Sequence, residues 1–80
     1  MKYRFFVKIA TWNINSLRLR IQQVIRFLKE HNIDIMCIQE TKTPDEYFPK
    51  KEFEEVGFMN QYFRGEKSYN GVAILSKIAF

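Results

Sequence analysis

Cysteine is nearly absent from this chain. Its 80 residues hold one, Cys37, and no histidine or other base stands beside it in sequence, which weighs against a catalytic thiol. A lone cysteine inside an apolar run reads as a small hydrophobe in a reducing compartment. There is one histidine, His31, placed at the end of a predicted helix, where a cation suits the macrodipole. Glycine and proline number three and two, too few for a low-complexity or linker-like chain. No internal repeat occurs. No apolar run approaches the length of a membrane span. The first eight residues, Met1 to Lys8, are basic and apolar, too short and too broken by charge for a signal peptide, and no cleavage-site pattern follows them, so none is expected there. The expectation is a cytoplasmic protein without membrane contact. Acidic residues are the minority: 9 against 13 basic ones, for a net charge of +4. That balance favours polyanionic partners, nucleic acid among them.

What remains is a globular composition, 46% hydrophobic, 16% aromatic and 28% charged. Eighty residues allow one small domain. A domain of this size buries only roughly 60% of the surface exposed by its unfolded chain, so its core is marginal.

Hydrophobic periodicity predicts alternating strands and helices. Phe5 to Trp12 reads as a first strand, and Asn13 to Ser16 as a turn with backbone-bonding side chains. From Leu17 the period changes. Leu17, Ile21, Val24, Ile25 and Leu28 form one stripe of an amphipathic helix, with Ser16 or Asn15 as its cap and His31 and Asn32 near its end. Asp34 precedes a second strand, Ile35 to Gln39. Strand, helix and strand within about 35 residues make a βαβ unit, with parallel strands and a right-handed crossover. A weaker helical segment begins at Thr43-Pro44-Asp45, carries Phe48, Phe53 and Val56, is interrupted by Pro49 and ends at Gly57. Phe58 to Arg64 and Val72 to Ser76 read as strands. The polar turn 65–71 between them makes an antiparallel hairpin. The last strand is apolar on both faces, so something should pack on each. With no further element to cover it, the sheet reads as unfinished, and the chain as the truncated start of a domain, residues 1–80, of poor solubility alone. The phenylalanines are expected in the core rather than as a base-stacking array.

The most informative stretch is Ile35-Met36-Cys37-Ile38-Gln39-Glu40-Thr41-Lys42. A buried strand runs directly into a Gln-Glu pair, with a lysine two places later. Open α/β sheets hold their ligands beyond the carboxyl ends of their strands, so Glu40 is a candidate metal ligand or acid/base. In a parallel unit the turn 13–16 emerges on the same edge, which lets Asn13 or Asn15 approach Glu40. One carboxylate with amide oxygens and waters suits Mg²⁺. Arg18, Arg20 and Lys42 nearby supply groups that hold phosphate.

Three segments, KIATWNINSLRLR (8–20), IDIMCIQETK (33–42) and GEKSYNGVAILSK (65–77), resemble in order and spacing the opening of the exonuclease III branch of the endonuclease/exonuclease/phosphatase family. The resemblance spans nearly the whole chain, Lys8 to Lys77. It implies the N-terminal part of a four-layer α/β sandwich. It also implies a Mg²⁺-dependent (or Mn²⁺-dependent) nuclease that cleaves double-stranded DNA at abasic sites and removes nucleotides from 3′ ends, in base excision repair. Position by position, Asn13 matches the family's active-site asparagine and Glu40 its metal-binding glutamate, the two catalytic candidates. Asn15 falls where members carry a metal-proximal Asp or Asn. Arg18 and Lys42 match basic residues near bound DNA, and Tyr69 and Asn70 a loop that approaches the lesion. Ser16 stands where glycine is frequent, and Ile33 where a small residue or proline often precedes the aspartate.

The resemblance also implies what lies outside these residues. The family's later tyrosine, its Gly-Asp-x-Asn segment and its Ser-Asp-His segment have no counterpart here, so the isolated chain is expected to be inactive. Two alternatives stand beside the repair nuclease: a non-catalytic truncated product with weak polyanion binding, and a fragment of another family phosphodiesterase. For Glu40 the plain reading is a solvated charge after a strand, for Asn13 and Asn15 turn formation, and for Tyr69 a hairpin aromatic packed on its neighbours. Oligomeric state is open.

Overall fold

A computed structural model describes residues 6–66 and 69–80. Phe5, Lys67 and Ser68, which the sequence assigns to the first strand and the hairpin turn, lie outside the described residues. The described elements are strands β1 (Ile9–Asn13), β2 (Ile35–Gln39), β3 (Asn60–Arg64) and β4 (Val72–Ser76), with helices α1 (Ile21–Glu30) and α2 (Lys50–Glu55). Short 3₁₀ turns at Arg18–Arg20 and Asp45–Tyr47 precede the two helices. The architecture is α/β, a four-stranded sheet in the order β1-β2-β4-β3. No described helix is long and apolar enough to cross a membrane.

The βαβ unit forms as its periodicity predicts. β1 and β2 pair in parallel, with Ile9 opposite Ile35 and Asn13 opposite Gln39. The hairpin forms too, with Arg64 opposite Val72. Its second strand also inserts against β2 in antiparallel register, Gln39 opposite Val72. β4 therefore joins the two halves, and the loop before it lies against the carboxyl end of β2.

Element boundaries differ from expectation at four places. β1 begins at Ile9 rather than Phe5, because its partner β2 begins at Ile35, directly opposite; Phe6 and Val7 are exposed. α1 begins at Ile21 rather than Leu17, and its N-cap is Arg20, without a side-chain cap bond. Neither Asn15 nor Ser16 caps it, since both adopt positive φ, 48° and 88°, whereas an N-cap needs extended backbone. Leu17 still belongs to the buried stripe, fully enclosed ahead of the helix. The predicted second helical segment is a 3₁₀ turn and a helix of 6 residues, with Pro49 immediately before it. β3 starts at Asn60 rather than Phe58, because Phe58 is wholly buried and donates its amide to Phe53 O in the turn that closes α2. Gly57 supplies the left-handed residue there, at φ +98°.

One face of the sheet carries the core. Met36, Ile38, Ala73 and Leu75 point into it and meet Val24 and Leu28 of α1, Phe53 of α2, and Ile14, Leu17, Ile33, Phe48 and Phe58 from the connections. Phe48 stacks on Phe63 with ring centroids 4.0 Å apart, and Trp12 meets Phe27 edge-on at 5.4 Å. Among the described phenylalanines, Phe27, Phe48, Phe53, Phe58 and Phe63 join the core as expected, whereas Phe6 and Phe80 are exposed. The opposite face is open: Ile9, Tyr62, Val72 and Ile74 are exposed. β4 accordingly packs on one face only. Cys37 lies on the open face, paired with Ile74, and is half-buried rather than enclosed. The alternation of the pleat, two residues per period, puts it there.

Candidate active site

The carboxyl ends of β1 and β2 are stitched together by backbone. Past the parallel ladder, Ile14 N–H donates to Gln39 O at 3.0 Å, Ser16 N–H to Glu40 O at 2.9 Å and Leu17 N–H to Thr41 O at 2.9 Å. The two connections therefore run side by side after their strands have ended. Holding that course takes unusual backbone. Asn15, Ser16, Glu40 and Lys42 all have positive φ, a conformation that asparagine tolerates better than most residues but that costs other L-residues free energy. Clustered non-glycine residues of this kind mark functional sites.

Side chains complete the arrangement. Asn13 Nδ2 donates to Glu40 Oε2 at 2.7 Å. Lys42 Nζ donates to Asn15 Oδ1 at 2.6 Å and lies 4.0 Å from Glu40 Oε1. The four polar residues form one chain, Asn13–Glu40–Lys42–Asn15, along the sheet edge. Asn13 is the residue that touches the carboxylate; Asn15 reaches it only through Lys42. The Glu40 side chain is 44% exposed and that of Lys42 32%, so solvent screens this pair and its worth lies in geometry rather than stability.

Arg20, considered above as a phosphate holder, is committed elsewhere. Its Nε donates to Ile14 O at 2.8 Å, bracing the turn that carries Asn13 and Asn15. Arg18 remains exposed, with its guanidinium 5.4 Å from the ring centroid of Tyr47. This cation–π contact between exposed side chains biases its direction weakly. Tyr69 is exposed, and Asn70, at φ 56°, sends its carbonyl to the Lys42 amide at 2.9 Å. The structure thus brings Asn13, Asn15, Glu40, Lys42 and Asn70 to one edge.

Several residues of the site escape sequence reasoning. Thr41 is wholly buried, and Gly71, with φ +93°, lies so close to it that a Cβ there would sit 2.2 Å from Thr41 Oγ1. Asp45 Oδ1 accepts the Gly65 amide at 2.6 Å. The signal available was the pair of glycines bounding the turn, since isolated glycines mark close backbone approach.

Among the described residues no group of three or more His, Cys, Asp or Glu side chains lies together. Glu40 is the carboxylate at this edge, with Asn13 bonded to it through Nδ2, while Asn15 Oδ1, expected beside the metal, accepts from Lys42 Nζ instead. A single carboxylate fits a hard cation that keeps most of its water, such as Mg²⁺.

The model of the Endonuclease/Exonuclease/phosphatase family matches residues 10–80. The chain belongs to that family. Within it, the similarities fit the exonuclease III and AP endonuclease branch. The chain is 35% identical over 71 residues to exodeoxyribonuclease III of Haemophilus influenzae, across 89% of this chain and 26% of that protein. An AP endonuclease from Archaeoglobus fulgidus superposes with a TM-score of 0.85 at 47% identity, over 90% of this chain and 28% of that one. A 3′ phosphatase from Neisseria, bound to product DNA hairpin, superposes with a TM-score of 0.85 at 40% identity, over 90% and 28%. This member of the family therefore spans about a quarter of the length of the relatives it matches. The four-stranded sheet and its helices are the part of the fold shared with those structures.

Proposed function

We propose that these residues supply the N-terminal portion of a Mg²⁺-dependent DNA repair nuclease, one that hydrolyses phosphodiester bonds at abasic sites and at 3′ ends. The observation that carries this reading is the 2.7 Å bond from Asn13 to Glu40 across the carboxyl edge of the parallel pair. The names of the relatives, exodeoxyribonuclease III and AP endonuclease, support DNA as the substrate.

In this reading Glu40 would hold the cation, with its carboxylate fixed by Asn13 through Oε2. When bound, Mg²⁺ supplies positive charge that stabilises the phosphoryl oxygens in an in-line displacement. Asn15 orients the Lys42 ammonium beside that position, where it attracts a phosphate oxygen as a point charge. Arg18, weakly directed by Tyr47, takes a neighbouring phosphate, and Tyr69 and Asn70 approach the DNA from the hairpin loop. Among the described residues this reading assigns no general base at this edge, so the division of labour is binding and charge placement here, with proton transfer left to residues outside it. These 80 residues then act as part of one larger domain.

The test is binding and cleavage of a duplex containing an abasic site. With Mg²⁺ the chain should bind the duplex by fluorescence anisotropy, lose affinity in Glu40→Gln and Arg18→Ala, and leave the strand uncut. Binding that ignores both substitutions contradicts the assignment. Incision that disappears in Glu40→Gln contradicts the division of labour.

A further inference from the structure

The hairpin loop does not hang free of the loop that carries Glu40. It is fastened to it at both ends. At one end Thr41 N–H donates to Gly71 O at 3.2 Å and Lys42 N–H to Asn70 O at 2.9 Å. At the other, Gly65 N–H donates to Asp45 Oδ1 at 2.6 Å. Both glycines lie where no side chain fits. A Cβ on Gly65 would stand 1.7 Å from Thr43 O and 2.9 Å from Thr43 C, so the two backbones touch there. Between these fastenings lies the edge of a groove of about 440 Å³, lined by Arg64, Gly65, Glu66, Asn70, Gly71 and Val72.

The two ends are held by different means. The Gly71 end is reinforced by the adjoining β2–β4 ladder, where Gln39 pairs with Val72. The Gly65 end has passed the last β3–β4 pair, Arg64 with Val72. There, beside the close approach of Gly65 to Thr43, the described hydrogen bond is a single charge-assisted one, short as such bonds are. Asp45 itself is exposed and lies in the 3₁₀ turn that follows the Glu40 loop.

We infer that Asp45 is a positioning residue: by accepting the Gly65 amide it sets the hairpin loop against the Glu40 loop, and so fixes where Tyr69 and Asn70 stand relative to Glu40 and Lys42. The inference rests on the reading of Tyr69 and Asn70 as DNA-facing. One oxygen of the exposed Asp45 carboxylate is thereby engaged by the Gly65 amide.

The test compares Asp45→Ala and Asp45→Asn with the unaltered chain. Asparagine keeps the acceptor oxygen and removes the charge. Amide hydrogen exchange is followed residue by residue by NMR, alongside affinity for an abasic duplex. In Asp45→Ala, exchange at Gly65, and also at Thr41 and Lys42, should rise on the order of tenfold, as expected when a charge-assisted bond is lost. Ile38 and Ala73 in the sheet should stay within about twofold. Duplex affinity should fall by roughly three- to tenfold. Asp45→Asn should restore most of both. A change confined to Gly65 overturns the proposal, because the bond would then be local. A uniform rise across the sheet also overturns it, since Asp45 would then be a folding determinant. If the exchange pattern moves as expected but the unaltered chain ignores the duplex, the positioning role stands and the DNA-binding reading fails.

Discussion

Replacing Gly71 with alanine probes the joint between the two loops directly. The residue is buried and held at φ +93°. An L-residue in that left-handed conformation costs about 1–2 kcal/mol. The added Cβ would also stand 2.2 Å from Thr41 Oγ1, 3.3 Å from Lys42 N and 3.4 Å from Thr41 Cβ. Thr41 is only 1% exposed, so its hydroxyl has no solvent to swing into. Relief must come from an off-rotamer threonine or a shifted loop, about 1–2 kcal/mol more. The expected destabilisation is therefore about 2–4 kcal/mol, set against a total of roughly 4–12 kcal/mol for a chain of this length. Urea unfolding followed by far-ultraviolet circular dichroism measures it, with the denaturant slope as a check that the unfolded state is unchanged. The double variant Thr41→Ala, Gly71→Ala removes the oxygen that the new methyl meets. It should recover about 1–2 kcal/mol relative to additivity. A Gly71→Ala chain within about 0.5 kcal/mol of the original, or a strictly additive pair, would refute the close approach.

Two further outcomes follow from packing and exposure. Phe53 is wholly buried at the centre of the α2 contact, so Phe53→Ala should cost about 3–5 kcal/mol in the same urea titration. The open sheet face carries Ile9, Tyr62, Val72 and Ile74. Light scattering should therefore show self-association of the chain that Ile74→Lys reduces, with stability altered by no more than about 0.5 kcal/mol.

The regular part of the fold was legible because its signals are local. The apolar stripe from Leu17 to Leu28 and the run Ile35 to Gln39 state their own period, and two such strands flanking a helix leave one handed parallel pairing. The hairpin was legible from two apolar runs and a polar turn. The place of β4 beside β2 was not. That pairing is set by which sheet edge is open once β1 has taken the other, a tertiary fact without a local pattern. Helix starts were misplaced for a related reason. Ser16 and Asn15 have capping side chains, but Asn15 binds Lys42 across the edge and both residues adopt positive φ. Long-range contacts override their local preference. At the site, Asn13 and Glu40 were legible from the rule that parallel strands bring their following loops together. Asp45, Gly65 and the Thr41–Gly71 contact were not, because nothing in an exposed aspartate's neighbourhood in sequence says which amide it will meet 20 residues later.

The central claim is that Glu40, fixed by Asn13, forms the cation-binding point of this edge. Titrating the ¹⁵N-labelled chain with Mn²⁺, a paramagnetic stand-in for Mg²⁺, tests it without requiring turnover. Resonances of Asn13, Asn15, Glu40 and Thr41 should broaden first, and Mg²⁺ should reverse the effect by competition. Glu40→Gln should abolish the focus while leaving the rest of the spectrum in place. Broadening that centres instead on the glutamates of α2, Glu52, Glu54 and Glu55, and that persists in Glu40→Gln, would contradict the account.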